Sequence, residues 1–162
     1  REGRAGVLVR RRGRGPGAAF AAGGTRGAEK REVAQGVSRI ETFVTKGSPN
    51  DAGLKRTKAG IELGAVGDCN ALAAGEAATF RVLVDGKPRA GLVFEITRGG
   101  TRYRNAQDEI KLTSDKNGEI SVTWPEAGMY WLETSSEDKN TTLKQAKSRR
   151  LNYVATLEVL PQ

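Results

Sequence analysis

The sequence contains no histidine and a single cysteine, Cys69, among 162 residues. The first absence removes the usual general base and the commonest transition-metal ligand together. The second excludes an intrachain disulfide and leaves the compartment open, because exported bacterial proteins also often lack disulfides. No apolar run approaches the ~20 residues that a membrane-spanning helix needs. No secretory signal is recognisable, since the small-residue run from Gly17 to Ala22 behind Arg10-Arg11-Arg12 is too short for a signal core. Aromatic residues make up only 6% and hydrophobic residues 37%, a modest supply that still suffices for one ordinary domain. Neither a long amphipathic helix nor a repeat of fixed period is visible.

Positive charge is abundant but confined. Residues 1–35 hold nine Lys/Arg against three Asp/Glu, a net of +6 out of the total of +8. Residues 36–162 hold 18 against 16. The leading segment is also rich in glycine and poor in large apolar groups, so it reads as a flexible basic arm or a truncated remnant. Such an arm is either a solvated tail or a contact for RNA or anionic lipid. The rest, 36–162, is one domain whose near-neutral balance suits nucleic acid poorly.

That domain has strand grammar. Phe80, Val82 and Val84 alternate with Thr79, Arg81 and Leu83, and Asp85-Gly86 follows as a hairpin signal. Pro88 restricts what comes next to an edge or a loop. Leu92, Phe94 and Ile96 form the next alternating set, and Ile110 and Leu112 mark a short strand. Two turn clusters, Asp115-Lys116-Asn117-Gly118 and Pro125-Glu126-Ala127-Gly128, bracket Ile120, Val122 and Trp124 on one face. Residues 135–148 are polar and read as a long loop. Leu151, Tyr153, Ala155, Leu157 and Val159 form the last strand. Seven to eight such strands predict an all-β fold, an immunoglobulin-like antiparallel β-sandwich. Glu126-x-Gly128-x-Tyr130 matches the pattern that opens the penultimate strand of such domains, where the tyrosine hydroxyl bonds back to the backbone. Gly128, Tyr130 and Trp124 are therefore read as structural.

Candidate chemistry is sparse, and the chain is read as no enzyme. A hydrolase without histidine needs a Ser/Lys pair, two carboxylates or a metal, and none stands at a recognisable spacing. Asp115 to Gly118 matches the start of a calcium loop, but Glu119 is too close to be its distal ligand, so a hairpin turn is the better reading. Asp68 and Cys69 would offer two ligands to a divalent transition metal, or form a surface loop with an incidental thiol. Arg102 and Arg104 flank Tyr103. In a strand the two guanidinium groups would share a face and clamp a carboxylate or phosphate, or else pair with Asp108, Glu109 or Glu133. Trp131 points away from the Tyr130 and Leu132 face and offers stacking surface for a sugar or a peptide.

Several segments carry a family resemblance. They are Arg39 to Thr45, Gly75 to Phe80, Leu83 to Pro88, Gly99 to Arg104, Trp124 to Glu133 and the terminal strand. Over Val37 to Gln162 the chain resembles the C-terminal half of a bacterial periplasmic family. That family is formally a domain of unknown function, often described as a nickel or cobalt uptake (transporter-associated) component. The resemblance implies a periplasmic or cell-envelope location, a divalent metal, and a membrane transporter or receptor component as partner. Family members tend to carry His-Pro-Asn-Asp where this chain reads Asp68-Cys69-Asn70-Ala71. The resulting expectation is a non-enzymatic periplasmic binding or accessory domain. The alternatives are a structural or adhesive module that self-associates through β-edges, and a scaffold for a basic arm that contacts nucleic acid or membrane.

Overall fold

The computed structural model describes residues 5–9, 33–43, 57–66 and 72–162. Ten strands fill these segments: β1 (Ala5–Val9), β2 (Val33–Thr42), β3 (Ile61–Ala65), β4 (Ala77–Val84), β5 (Lys87–Pro88), β6 (Val93–Arg98), β7 (Ile110–Thr113), β8 (Glu119–Thr123), β9 (Gly128–Asp138) and β10 (Ser148–Val159). They form two sheets. The larger has the order β1-β2-β10-β9-β6-β7, and the smaller pairs β4 with β3 on one side and with β5 and β8 on the other. This is the immunoglobulin-type sandwich that the strand grammar predicts. One pair departs from the antiparallel expectation. β2 runs parallel to β10 over nine residue pairs, from Ser148↔Ala34 to Thr156↔Thr42.

The inward faces follow from period-two alternation. Phe80, Val82, Ile120 and Val122 of the small sheet meet Phe94, Ile96, Tyr130, Leu132, Leu151, Tyr153, Ala155 and Leu157 of the large one, all buried. Trp124, just past β8, plugs the centre. Its ring stands edge-on to Phe80, with centroids 6.4 Å apart, and to Tyr130 at 4.9 Å. Such offset aromatic contacts add about 0.5–1.5 kcal/mol to area burial. The Tyr130 hydroxyl donates to the Glu126 carbonyl at 2.8 Å and ties the start of β9 to the turn before it.

Both turn clusters carry the chain between sheets. Asp115–Gly118 joins β7 of the large sheet to β8 of the small one, so it is no hairpin within one sheet. The Asp115 carboxylate caps that turn, accepting the N–H groups of Asn117 and Glu119 at 2.8 Å each. Gly118 has a φ of 74°, and a Cβ there would lie 2.7 Å from the Val82 carbonyl oxygen and 2.8 Å from the Arg89 nitrogen.

Two boundaries differ from the sequence reading. Residues 135–138 continue β9, and β10 already begins at Ser148, so the loop is only 139–147. Polar side chains masked this strand. Thr134 is buried because its hydroxyl donates to the Val93 carbonyl at 2.7 Å, and Ser136 and Asp138 lie opposite Leu151 and Arg149 in the ladder. The segment 1–35 also contributes structure. Ala5–Val9 pairs antiparallel with β2, which itself starts at Val33. A short strand needs little core of its own when it extends an existing edge through backbone hydrogen bonds. Residues 10–32 lie outside the described residues.

Candidate functional site

Among the described residues, the outward side of the large sheet carries the largest group of exposed apolar side chains. Along β9, Met129 and Trp131 face outward and are about half exposed. Trp131 lies directly opposite Thr97 on β6 and Thr156 on β10, and Thr156 in turn lies opposite Thr42 on β2. The next row reads Glu95, Glu133, Val154 and Ile40, and Ile40 is 71% exposed. Met129, Trp131, Val154 and Ile40 thus form a diagonal apolar stripe across three strands, bordered by hydroxyls and carboxylates. The Trp131 Nε1–H donates to Glu133 Oε2 at 3.1 Å, which limits rotation of the indole.

The two basic side chains on the strands beside the stripe are already engaged. Lys111 Nζ lies 3.3 Å from Glu95 Oε1 and 3.0 Å from Glu109 Oε1. Arg150 pairs with Glu137 at 3.5 Å. The hydroxyls of Thr42, Thr97 and Thr156 have no protein hydrogen-bond partner among the described residues.

The Arg102-Tyr103-Arg104 segment is not a strand. Thr101–Tyr103 form one turn of 3-10 helix after Gly100, whose φ of 76° starts it. The paired-guanidinium face expected of a strand is therefore missing. Arg104 folds back, donating from Nη2 to the Arg98 carbonyl at 2.6 Å, and approaches Asp108 at 3.5 Å. Tyr103 is 87% exposed. Gly99 donates its N–H to the Met129 carbonyl at 2.7 Å, which sets this turn beside the Met129 end of the stripe. Asp68 and Cys69, the candidate metal ligands, lie outside the described residues. Among the described residues, no group of three or more His, Cys, Asp or Glu side chains converges as a metal site would require. Trp124 and Tyr130 are core residues, and Gly128, with a φ of 139°, packs beneath the Arg98 guanidinium.

Two charge networks went unseen in the sequence, one around buried Arg149 and one around buried Glu62. Arg149 on β10 has a side chain only 7% exposed. Its Nη1 and Nη2 donate to Asp85 Oδ1 and Oδ2 at 3.1 and 2.6 Å. Its Nε and Nη2 donate to Asp138 Oδ1 and Oδ2 at 3.0 and 2.6 Å. Asp85 sits in the β4–β5 hairpin, where its φ of 50° and that of 78° at Gly86 fit a type I′ turn. It also accepts the Gly60 N–H at 2.9 Å. The small sheet is thereby riveted to the large one. The Arg149 hydrogen bonds hold both carboxyls below their ordinary range and raise the guanidinium further above its own. In the second network Arg39 bridges Glu41 at 2.6 Å and Glu62 at 2.7 Å, and the Tyr153 hydroxyl donates to Glu41 at 2.5 Å. Burial pushes the Glu62 carboxyl up, but two hydrogen bonds from Thr57 and the Arg39 charge more than offset it.

The fold defines an immunoglobulin-type β-sandwich module, with an exposed apolar stripe on the outward side of its larger sheet. The chain belongs to the family described as a domain of unknown function (DUF4198), whose model matches residues 4–138. The match thus includes β1 and ends with β9. No curated protein matches the chain. Among solved structures, it is similar to the PKD domain of the human VPS10 domain-containing receptor SorCS2, with 14% identity, 90% of this chain and 97% of that chain covered, and a TM-score of 0.41.

Proposed function

We propose that the protein is a non-enzymatic binding or accessory module of the bacterial cell envelope that acts through the outward face of its large sheet. The observation that carries this reading is the diagonal stripe of Met129, Trp131, Val154 and Ile40, exposed except for the half-buried Val154, while most other large apolar side chains among the described residues are buried. Contiguous exposed apolar surface with a polar border marks interaction sites. The buried ion pairs support a scaffold role for the remaining charges, since Arg149, Asp85 and Asp138 hold the sheets together. Oxidative footprinting tests the reading. Met129 and Trp131 should be oxidised readily in the purified protein and protected in envelope preparations. Equal oxidation in both settings would refute it.

The family resemblance adds a finer reading, a role beside a transporter in nickel or cobalt uptake, with Asp68 and Cys69 as ligands. Calorimetric titration of nickel and cobalt tests it, with Cys69→Ser as control. Heat no greater than that of buffer at sub-millimolar metal sinks the metal role. Self-association through β-edges is supported by β7 and β8, each of which pairs along one side only among the described residues. A molecular mass by light scattering that stays monomeric across concentration argues against it.

A further inference from the structure

Resting on the recognition face just proposed, we infer that its ligand is a neutral glycan, bound with one pyranose ring stacked on Trp131. The indole is 48% exposed at the middle of a sheet face, and Glu133 restrains it. A restrained aromatic surface offers apolar area at low entropic cost, and the C–H face of a sugar ring is matched to it. Directly opposite on the adjacent strands stand Thr97 and Thr156, with Thr42 one strand further. Strands lie about 4.8 Å apart, so these hydroxyls flank the indole within reach of a ring's equatorial substituents. They have no protein partner among the described residues, and each both donates and accepts. The Glu133 oxygen that Trp131 does not use adds an acceptor for a sugar hydroxyl.

Charge decides the class of glycan. Glu133, Glu95 and Glu158 surround the stripe through their register with β6, β9 and β10. The two basic side chains on this face, Lys111 and Arg150, are held by Glu95, Glu109 and Glu137. Over Trp131 a phosphate or uronate would meet these carboxylates, and the Arg102 guanidinium, unpaired among the described residues, stands off the strands on the turn at the Met129 end, whereas a donor-rich neutral polyol meets acceptors. A basic peptide is the competing occupant. It satisfies the carboxylates but leaves the row of three hydroxyls unused.

The test follows the two indole N–H resonances by NMR in the full chain, assigned with Trp131→Phe. Soluble cello-, xylo-, manno- and chito-oligosaccharides are added at millimolar concentration, with an oligogalacturonate and an oligolysine as charged probes. At least one neutral sugar should move the Trp131 signal and leave that of buried Trp124 in place. Trp131→Ala, followed through the Thr97 and Thr156 amides, should weaken binding about tenfold or more. Thr97→Val with Thr156→Val should weaken it while the Trp124 signal keeps its folded position. The inference is overturned if no neutral sugar moves the signal, if Trp131→Ala binds equally well, or if only a charged probe acts. Footprinting protection in the envelope together with failure of every sugar leaves the recognition face standing and removes the glycan.

Discussion

Replacing Arg149 with methionine removes a cation whose side chain is 7% exposed and leaves Asp85 and Asp138 facing each other. Breaking a buried pair by removing one partner costs about 3–5 kcal/mol. Asp85 is 37% exposed and regains water, so the low end, about 3 kcal/mol, applies here. With a urea m-value of about 2 kcal/mol/M for a domain of this size, the midpoint should fall by about 1.5 M at neutral pH. Acidity supplies a second reading. Arg149 holds both aspartates below their ordinary value of 3.8. A depressed carboxyl contributes stability that is fully present above the unfolded value and lost as pH falls through the folded one. Wild type should therefore lose stability below pH 3.8, and the gap between wild type and Arg149→Met should narrow there. A midpoint shift under about 0.3 M at neutral pH, or a gap that stays constant through the acid range, refutes the rivet.

Three smaller perturbations probe the frame. Gly118→Ala places a Cβ 2.7 Å from the Val82 carbonyl oxygen at a positive φ, and should lower stability by about 2 kcal/mol or more in thermal melts. Tyr130→Phe removes the hydrogen bond to the Glu126 carbonyl and should cost about 1–2 kcal/mol by urea unfolding, with the fold intact. Ser114 is buried, accepts the Leu92 N–H at 2.9 Å and donates to the Arg89 carbonyl at 2.8 Å. Ser114→Ala strands both groups and should cost about 1–3 kcal/mol, with faster amide exchange at Leu92.

The sandwich was legible wherever apolar alternation coincided with turn chemistry. Phe80 and Val82, Ile120 and Val122, and Tyr130 and Leu132 each advertise a buried face at period two, and all are buried. The end of β9 was hidden because its inward residues are Thr134, Ser136 and Asp138, and the partners of Thr134 and Asp138, the Val93 carbonyl and Arg149, lie on other strands. Asp85 could be read as half of a hairpin turn, but nothing local announces that it also receives Arg149, which lies in a basic run that looks solvated. On the outward face of the large sheet, the direction of Trp131 followed from its alternation with Tyr130. Its threonine neighbours belong to β2, β6 and β10, and strand register across a sheet is set by pairing and not by local sequence. Arg102 and Arg104 do not share a strand face because Gly99-Gly100 releases the chain into a 3-10 turn, and Arg104 takes the alternative partner, Asp108.

The parallel union of β2 and β10 also sets a timetable. β10 is the last of the described strands in chain order, yet it lies between β2 and β9 and joins them in the sheet. During synthesis at about 5–20 residues per second, β2 waits on the order of ten seconds for Ser148 to reach Ala34. Through that interval the inner edge of β2 is open, and once β9 has been made its inner edge is open as well until β10 arrives. A ribosome stalled before Leu151 would hold a nascent chain with two unsatisfied strand edges, which makes this the stage at which a chaperone has the most to do.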